Sequence, residues 1–150
     1  MEFKIVEAKL NHIEQVGELF DLYRQFYKYE SNLIESTNYI KDRITNNESI
    51  IFIAINDANE AIGFVQLYET FGSLDLGKII ILYDLYVKKN HRKNNIGKQL
   101  MIKSHEYAKK IKAKRIQLST AIDNFIGQSL YESLGYVKDI DFYTYDFEIK

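Results

Sequence analysis

Apolar and polar residues alternate over residues 3–8, the period of a half-buried strand. From Asn11 onward the spacing changes. Ile13, Val16, Leu19, Phe20, Tyr23, Phe26 and Tyr27 recur every three or four residues, which predicts a helix with Asn11 as its N-cap. Tyr39, Ile40 and Ile44 fall on one side of a second helix over about 35–45. A β-branched run at 49–55, a polar stretch at 56–60 and a second run at 61–71 predict a hairpin. A turn at 72–77 leads into an apolar strand at 78–87, whose Ile79-Ile80-Ile81-Leu82 run reads as covered on both faces. A polar loop at 88–95 enters an amphipathic helix marked by Ile96, Leu100, Met101, Tyr107, Ala108 and Ile111. A short strand at 115–120, a helix at 124–134 stopped by Gly135, and an aromatic-rich strand at 142–149 complete the pattern.

No repeat, linker or composition break interrupts this order, so a single domain over 1–150 is expected. Its class is α/β of the α+β type, a mixed sheet with helices packed on it. A chain of this length buries roughly 70% of its unfolded surface, so neither metal nor disulfide is needed to hold it. The absence of cysteine excludes disulfides, cysteine metal sites and a covalent cysteine intermediate. The histidines at 12, 91 and 105 form no ligand spacing, and no metal is expected. His12 reads as capping, His91 as part of the polar loop, and His105 as a surface position. No uncharged apolar window reaches membrane-spanning length, and the first residues lack a signal-peptide layout, so a cytoplasmic protein without a membrane partner is expected.

The net charge of −1 conceals a division. Residues 1–80 are net −6, residues 81–120 net +9 and residues 121–150 net −4. A basic middle suggests a polyanion held there. In that middle a buried strand runs through Asp84-Leu85-Tyr86-Val87 into Arg92-Lys93-Asn94-Asn95-Ile96-Gly97-Lys98 and a helix start. Helix N-termini expose unpaired N–H groups and partial positive charge, a site for phosphate. Gly97 would admit a ligand close to the backbone, and Asn94 and Asn95 tolerate the left-handed conformation of an anion nest.

Arg92 to Gly97 resembles the acetyl-CoA signature of the GCN5-related N-acetyltransferase family, Arg/Gln-x-x-Gly-x-Gly/Ala, with Asn95 at the usual first glycine. Asn124, then Leu130-Tyr131 and Leu134-Gly135-Tyr136, is similar to that family's later motif. The resemblance implies a mostly antiparallel mixed sheet of about seven strands with helices on both faces. The strands at 78–88 and 114–121 would lie parallel and splay apart. It further implies acetyl-CoA as co-substrate, its phosphates on the backbone from Arg92 to Lys98 and its pantetheine arm along Leu85, Tyr86 and Val87, with Asn124 and Tyr131 also contacting it.

Acetyl transfer to a primary amine is the implied reaction, on a small cation such as a polyamine or on a peptide amine. With no cysteine, direct attack in a ternary complex is expected. Tyr131 corresponds to the family's general acid. For the base, relatives similar to polyamine acetyltransferases carry glutamate where Tyr83 stands here. Asp84 is the nearest carboxylate, but strand alternation turns it away from the Tyr83 face unless a bulge re-aims it. Glu69 and Tyr68 are alternatives for relaying a proton through water. Tyr29, Glu30, Tyr68 and Tyr83 are expected on the acceptor side, where aromatics and carboxylates suit a cation. Glu35 joins them past the periodic stretch, while Tyr23 and Tyr27 sit at core spacing. The alternative is a non-catalytic module of this fold that binds acetyl-CoA or nucleic acid. No nucleic-acid motif appears, so no such partner is expected. The final strand could serve as an edge in a homodimer.

Overall fold

Apart from the strand expected at 142–149, periodicity and chain order lead to the same elements in the computed structural model, which describes residues 2–150. They are β1 (Phe3–Glu7), α1 (Ile13–Phe26), α2 (Leu33–Thr45), β2 (Ile50–Asn56), β3 (Ala61–Gly72), β4 (Gly77–Val87), α3 (Ile96–Lys110), β5 (Ile116–Gln117) and α4 (Phe125–Ser133). Short 3₁₀ turns at Leu10–His12 and Lys89–His91 precede α1 and α3. The first displaces Asn11 from the cap position it was expected to hold. His12 precedes α1 instead, and its Nδ1 accepts from the Lys9 N–H at 2.9 Å.

The chain forms two compact units, one reaching to Leu118 and one spanning Ser119–Lys150. The first holds a sheet ordered β1-β2-β3-β4-β5. Its first three pairings are antiparallel and β4–β5 is parallel. The described residues thus carry five sheet strands rather than about seven. Segment 142–149 has a strand's alternation, but Phe142, Tyr143, Tyr145, Phe147 and Ile149 are exposed and no ladder forms along it. Alternation satisfies one requirement of a strand; a hydrogen-bonding neighbour is the other.

Alternation along the strands builds two apolar layers. Ile51, Ile53, Ile55 and Phe64 face α1 and α2, packing with Val16, Leu19 and Ile40. Phe52 turns the other way, its ring 5.9 Å from that of Tyr107 on α3. The helices α1 and α2 approach closely at Gly17, where a Cβ would stand 2.9 Å from the Thr37 Cα. A buried carboxylate fixes their connection. Asp21 on α1 accepts from Ser31 Oγ (2.6 Å), Asn32 N–H (2.8 Å), Gln25 Nε2 (2.9 Å) and Ser36 Oγ (3.0 Å). Burial pushes this carboxyl up, but the four hydrogen bonds outweigh it and hold it below its ordinary value.

In the second unit, Asn124 caps α4 by accepting from the Gly127 N–H at 3.2 Å. Gly135 ends the helix with φ 93°, the left-handed cap its position predicted.

Candidate active site

Along β4, Ile80 and Leu82 face α3, and strict alternation would send Asp84 to the same side. The ladder prevents this. Gln66 pairs with Asp84, while its neighbour Leu67 pairs with Leu82. Tyr83 is therefore an extra residue, a bulge, and beyond it the alternation reverses. Asp84 now lies on the α1/α2 face with Tyr86 and its cross-strand partner Phe64. Tyr83, 65% exposed, lies on the same face, its ring 5.7 Å from that of Tyr68. The conditional expectation for Asp84 is met through this bulge.

Asp84 is 2% exposed. Gln66 Nε2 donates to its Oδ2 at 2.5 Å. Burial pushes its carboxyl up to about 6, opposed by hydrogen bonding from Gln66 and from Tyr23. The Tyr23 hydroxyl from α1 also reaches the Tyr83 carbonyl oxygen at 3.1 Å. Burial first, and then the charge of Asp84, push the Tyr23 phenol well above its ordinary range. Tyr68 is raised as well, by burial, its hydrogen bond with Tyr39 and the Asp84 charge. The Tyr39 and Tyr68 hydroxyls are 2.6 Å apart, and the Arg43 guanidinium lies 4.4 Å from the Tyr39 ring centroid. The buried carboxylate thus has the Tyr23 hydroxyl as a hydrogen-bond partner and acts on Tyr68 through its charge.

Other expected acceptor-side residues stand elsewhere. Glu69 points to the α3 face, bonded to Tyr107 and to Lys78 Nζ at 2.8 Å. These two hydrogen bonds hold its carboxyl below the ordinary range. It is removed from the proton relay for which it was a candidate. Tyr29 and Glu30 lie in the exposed α1–α2 loop, where Arg24 sits 5.3 Å from the Tyr29 ring centroid. That geometry does not bring either into the Asp84 cluster.

The basic loop shows the backbone that the sequence suggested, with one exchange. Asn95, directly before α3, takes φ 66°. The second left-handed residue is Lys93 (φ 64°), not Asn94. Asn94 instead braces the loop, its Nδ2 donating to the His91 carbonyl at 3.1 Å and that of Arg92 at 3.3 Å. The start of α3 carries no side-chain cap and no acidic residue in its first turn. Ile96 is buried, which anchors the turn, while Lys93 and Lys98 are exposed at its mouth. Such a helix start attracts an anion.

The β4 edge leads to this loop. Pairing with β5 covers Ile80↔Ile116 and Ile81↔Gln117, and β4 runs on to Val87. The Lys88 N–H bonds the Ile62 carbonyl on β3. Alternation then turns the polar backbone groups of Leu85 and Val87 to the opposite edge, and those of Tyr86 inward. Arg92 Nε donates to the Val87 carbonyl at 3.0 Å. Its guanidinium also packs on Tyr86 and Phe26, at 5.4 and 5.8 Å from the ring centroids. Arg92 is therefore a brace between strand and loop as well as a positive charge.

In the second unit, Asn124 Nδ2 donates to Thr120 Oγ1 at 3.0 Å. Tyr131 is half-buried on α4, its ring 6.2 Å from that of Tyr136. The sequence reading missed two residues of the first unit: Gln66, hidden in an apolar strand, and Asp21, hidden in a helical stripe. A polar residue at a core position was the available signal for both.

A family model described as the acetyltransferase (GNAT) family matches residues 16–136. An uncharacterized N-acetyltransferase of Bacillus subtilis (strain 168), YhfO, is 38% identical over 141 residues, covering 94% of each chain. A crystal structure of a probable acetyltransferase aligns with a TM-score of 0.91 at 34% identity, covering 98% of both chains. The aminoglycoside N-acetyltransferase AAC(6')-Iy, in a complex with CoA, has a similar fold, with a TM-score of 0.82 at 17% identity. That alignment covers 99% of this chain and 96% of the other.

Proposed function

From a chain that belongs to the acetyltransferase (GNAT) family, and is thus an acetyl-CoA-dependent N-acetyltransferase, we propose acetyl transfer to a primary amine that is cationic at rest. The acceptor is a small polyamine-like molecule or a peptide amine. Residues 1–150 act as one N-acetyltransferase domain. The observation that carries this reading is the bulge at Tyr83, which places buried Asp84 beneath Tyr23, Tyr68 and Tyr83.

The cationic acceptor first gives up one proton to solvent, and the neutral amine then attacks the thioester carbonyl directly within a ternary complex, since the chain has no cysteine to carry the acyl group. As the nitrogen–carbon bond forms, the attacking nitrogen becomes positively charged and much more acidic. Its proton passes to Asp84 through a tyrosine hydroxyl or one water, because the carboxylate is too buried for open contact. A base raised to about 6 is still ionised at neutral pH and a better proton acceptor than an ordinary aspartate. The thiolate leaves as the carbonyl re-forms, with Tyr131 supplying a proton. The exposed rings of Tyr83 and the half-buried ring of Tyr68 offer π faces to the cationic acceptor.

On the donor side, the backbone N–H groups of Ile96, Gly97 and Lys98 hold phosphate, with Lys93 and Arg92 adding charge. Asn94 and Asn95 shape the turn. Leu85 and Val87 present strand-edge groups to the amides of the arm, with Tyr86 between them, in the manner of strand addition. The family motif gives Asn124 a contact with the arm as well.

The experiment is release of free thiol from acetyl-CoA in the presence of polyamines, peptide amines, and neutral and anionic amine controls. The expected result is release accelerated by cationic amines, with the acetylated amine found by mass spectrometry. Acetyl-CoA binding without acceleration by any amine would contradict the reading.

A further inference from the structure

Gln66 faces Asp84 directly across the β3–β4 ladder and is fully buried. Its Nε2 donates to Asp84 Oδ2, while its Oε1 accepts from Ser49 Oγ at 2.7 Å. A primary amide has a donor end and an acceptor end. Turned over, Gln66 would set its oxygen against a carboxylate, and the two acceptors would repel. Ser49, half-buried just before β2, supports the observed orientation by donating to Oε1, which satisfies the acceptor end of the amide. The two links therefore form a directed chain, hydroxyl to amide to carboxylate, ending on the group that takes the proton.

We propose that Gln66, oriented by Ser49, is the positioning residue that fixes the Asp84 carboxylate on the α1/α2 face and sets the pH at which it accepts a proton. The inference rests on the reading of Asp84 as the proton acceptor. A donor aimed at a carboxylate favours its ionised form. Burial pulls the other way, and Gln66 is the first group opposing it, followed by Tyr23. The other ionisable groups around Asp84 are Tyr23 from α1, Tyr68 from β3 and Tyr83 from β4. Tyr23 and Tyr68 have phenols raised away from ionisation. The cation on α2, Arg43, stands behind Tyr39 and is paired with Glu48 at 3.2 Å. A neutral amide thus performs the service usually given to a cation.

The test is a carbon-13 NMR titration of the Asp84 side chain in the full chain without substrate, with Asp84→Asn identifying the signal. Ser49→Ala is expected to raise the midpoint by about half a pH unit, and Gln66→Leu by about one unit or more. Ser49→Thr keeps the hydroxyl and should keep the wild-type midpoint. The acid limb of kcat/KM should move with the NMR midpoint. A midpoint unchanged in both Ser49→Ala and Gln66→Leu overturns the proposal. Ser49 lies at a strand end, so its variant keeps the question answerable if Gln66→Leu does not fold. A shifted midpoint with an unshifted rate profile supports the hold on Asp84 and removes Asp84 from the role of proton acceptor.

Discussion

Charging Asp84 creates an ion on a side chain only 2% exposed, and its carboxyl rises from an ordinary 3.8 to about 6. The folded chain therefore prefers the protonated form. The stability associated with that preference is full below about pH 4 and is lost as pH rises through 6. Asp84→Asn removes the charge and keeps an oxygen to accept from Gln66. At pH 7.5 the variant should exceed the wild type in stability by up to about 3 kcal/mol. The gain should vanish near pH 4, as measured by denaturant unfolding across that range. Its acetyl transfer should fall by roughly 10²-fold or more. A second prediction concerns Tyr131. Tyr131→Phe keeps the ring and should lower kcat by roughly 10²–10⁴-fold with little change in the acetyl-CoA constant, read by steady-state kinetics.

Asp21 shows how a single side chain governs elements. It joins α1 to the loop and first turn of α2 through three donors, with Gln25 of α1 as a fourth, and an amide in its place cannot accept from all of them. Asp21→Asn should cost about 2–3 kcal/mol at neutral pH, checked by denaturant unfolding. Because the native carboxyl is held low, this stability is present above the unfolded pKa and is lost as pH falls through the folded one. The order of elements was legible in the sequence because periodicity is local. Asn95 was legible too, since asparagine tolerates the positive φ it adopts. The face taken by Asp84 was not, because a bulge is a property of two strands in register and Leu67↔Leu82 cannot be read from one of them. Segment 142–149 failed for a related reason: its own pattern says nothing of a neighbour.

Across the whole chain, charge is divided between the two substrates. The +9 stretch contains the loop and helix start proposed for CoA, whereas the −6 stretch contains α1, α2, Tyr23 and Tyr68. Such a division would draw an anionic donor and the proposed cationic acceptor to different places. The proposed functional centre is the junction, where β4 carries Asp84 at its bulge and delivers the basic loop at its end. The most direct measurement is kcat/KM against pH, from 4.5 to 8.5, referred to the concentration of neutral amine, for acetyl transfer to the preferred amine by the wild type and by Asp84→Asn. The wild type should fall about tenfold per pH unit below about pH 6, the value to which burial raises Asp84, and the variant should be slower and lack that limb. Superimposable profiles would contradict the account.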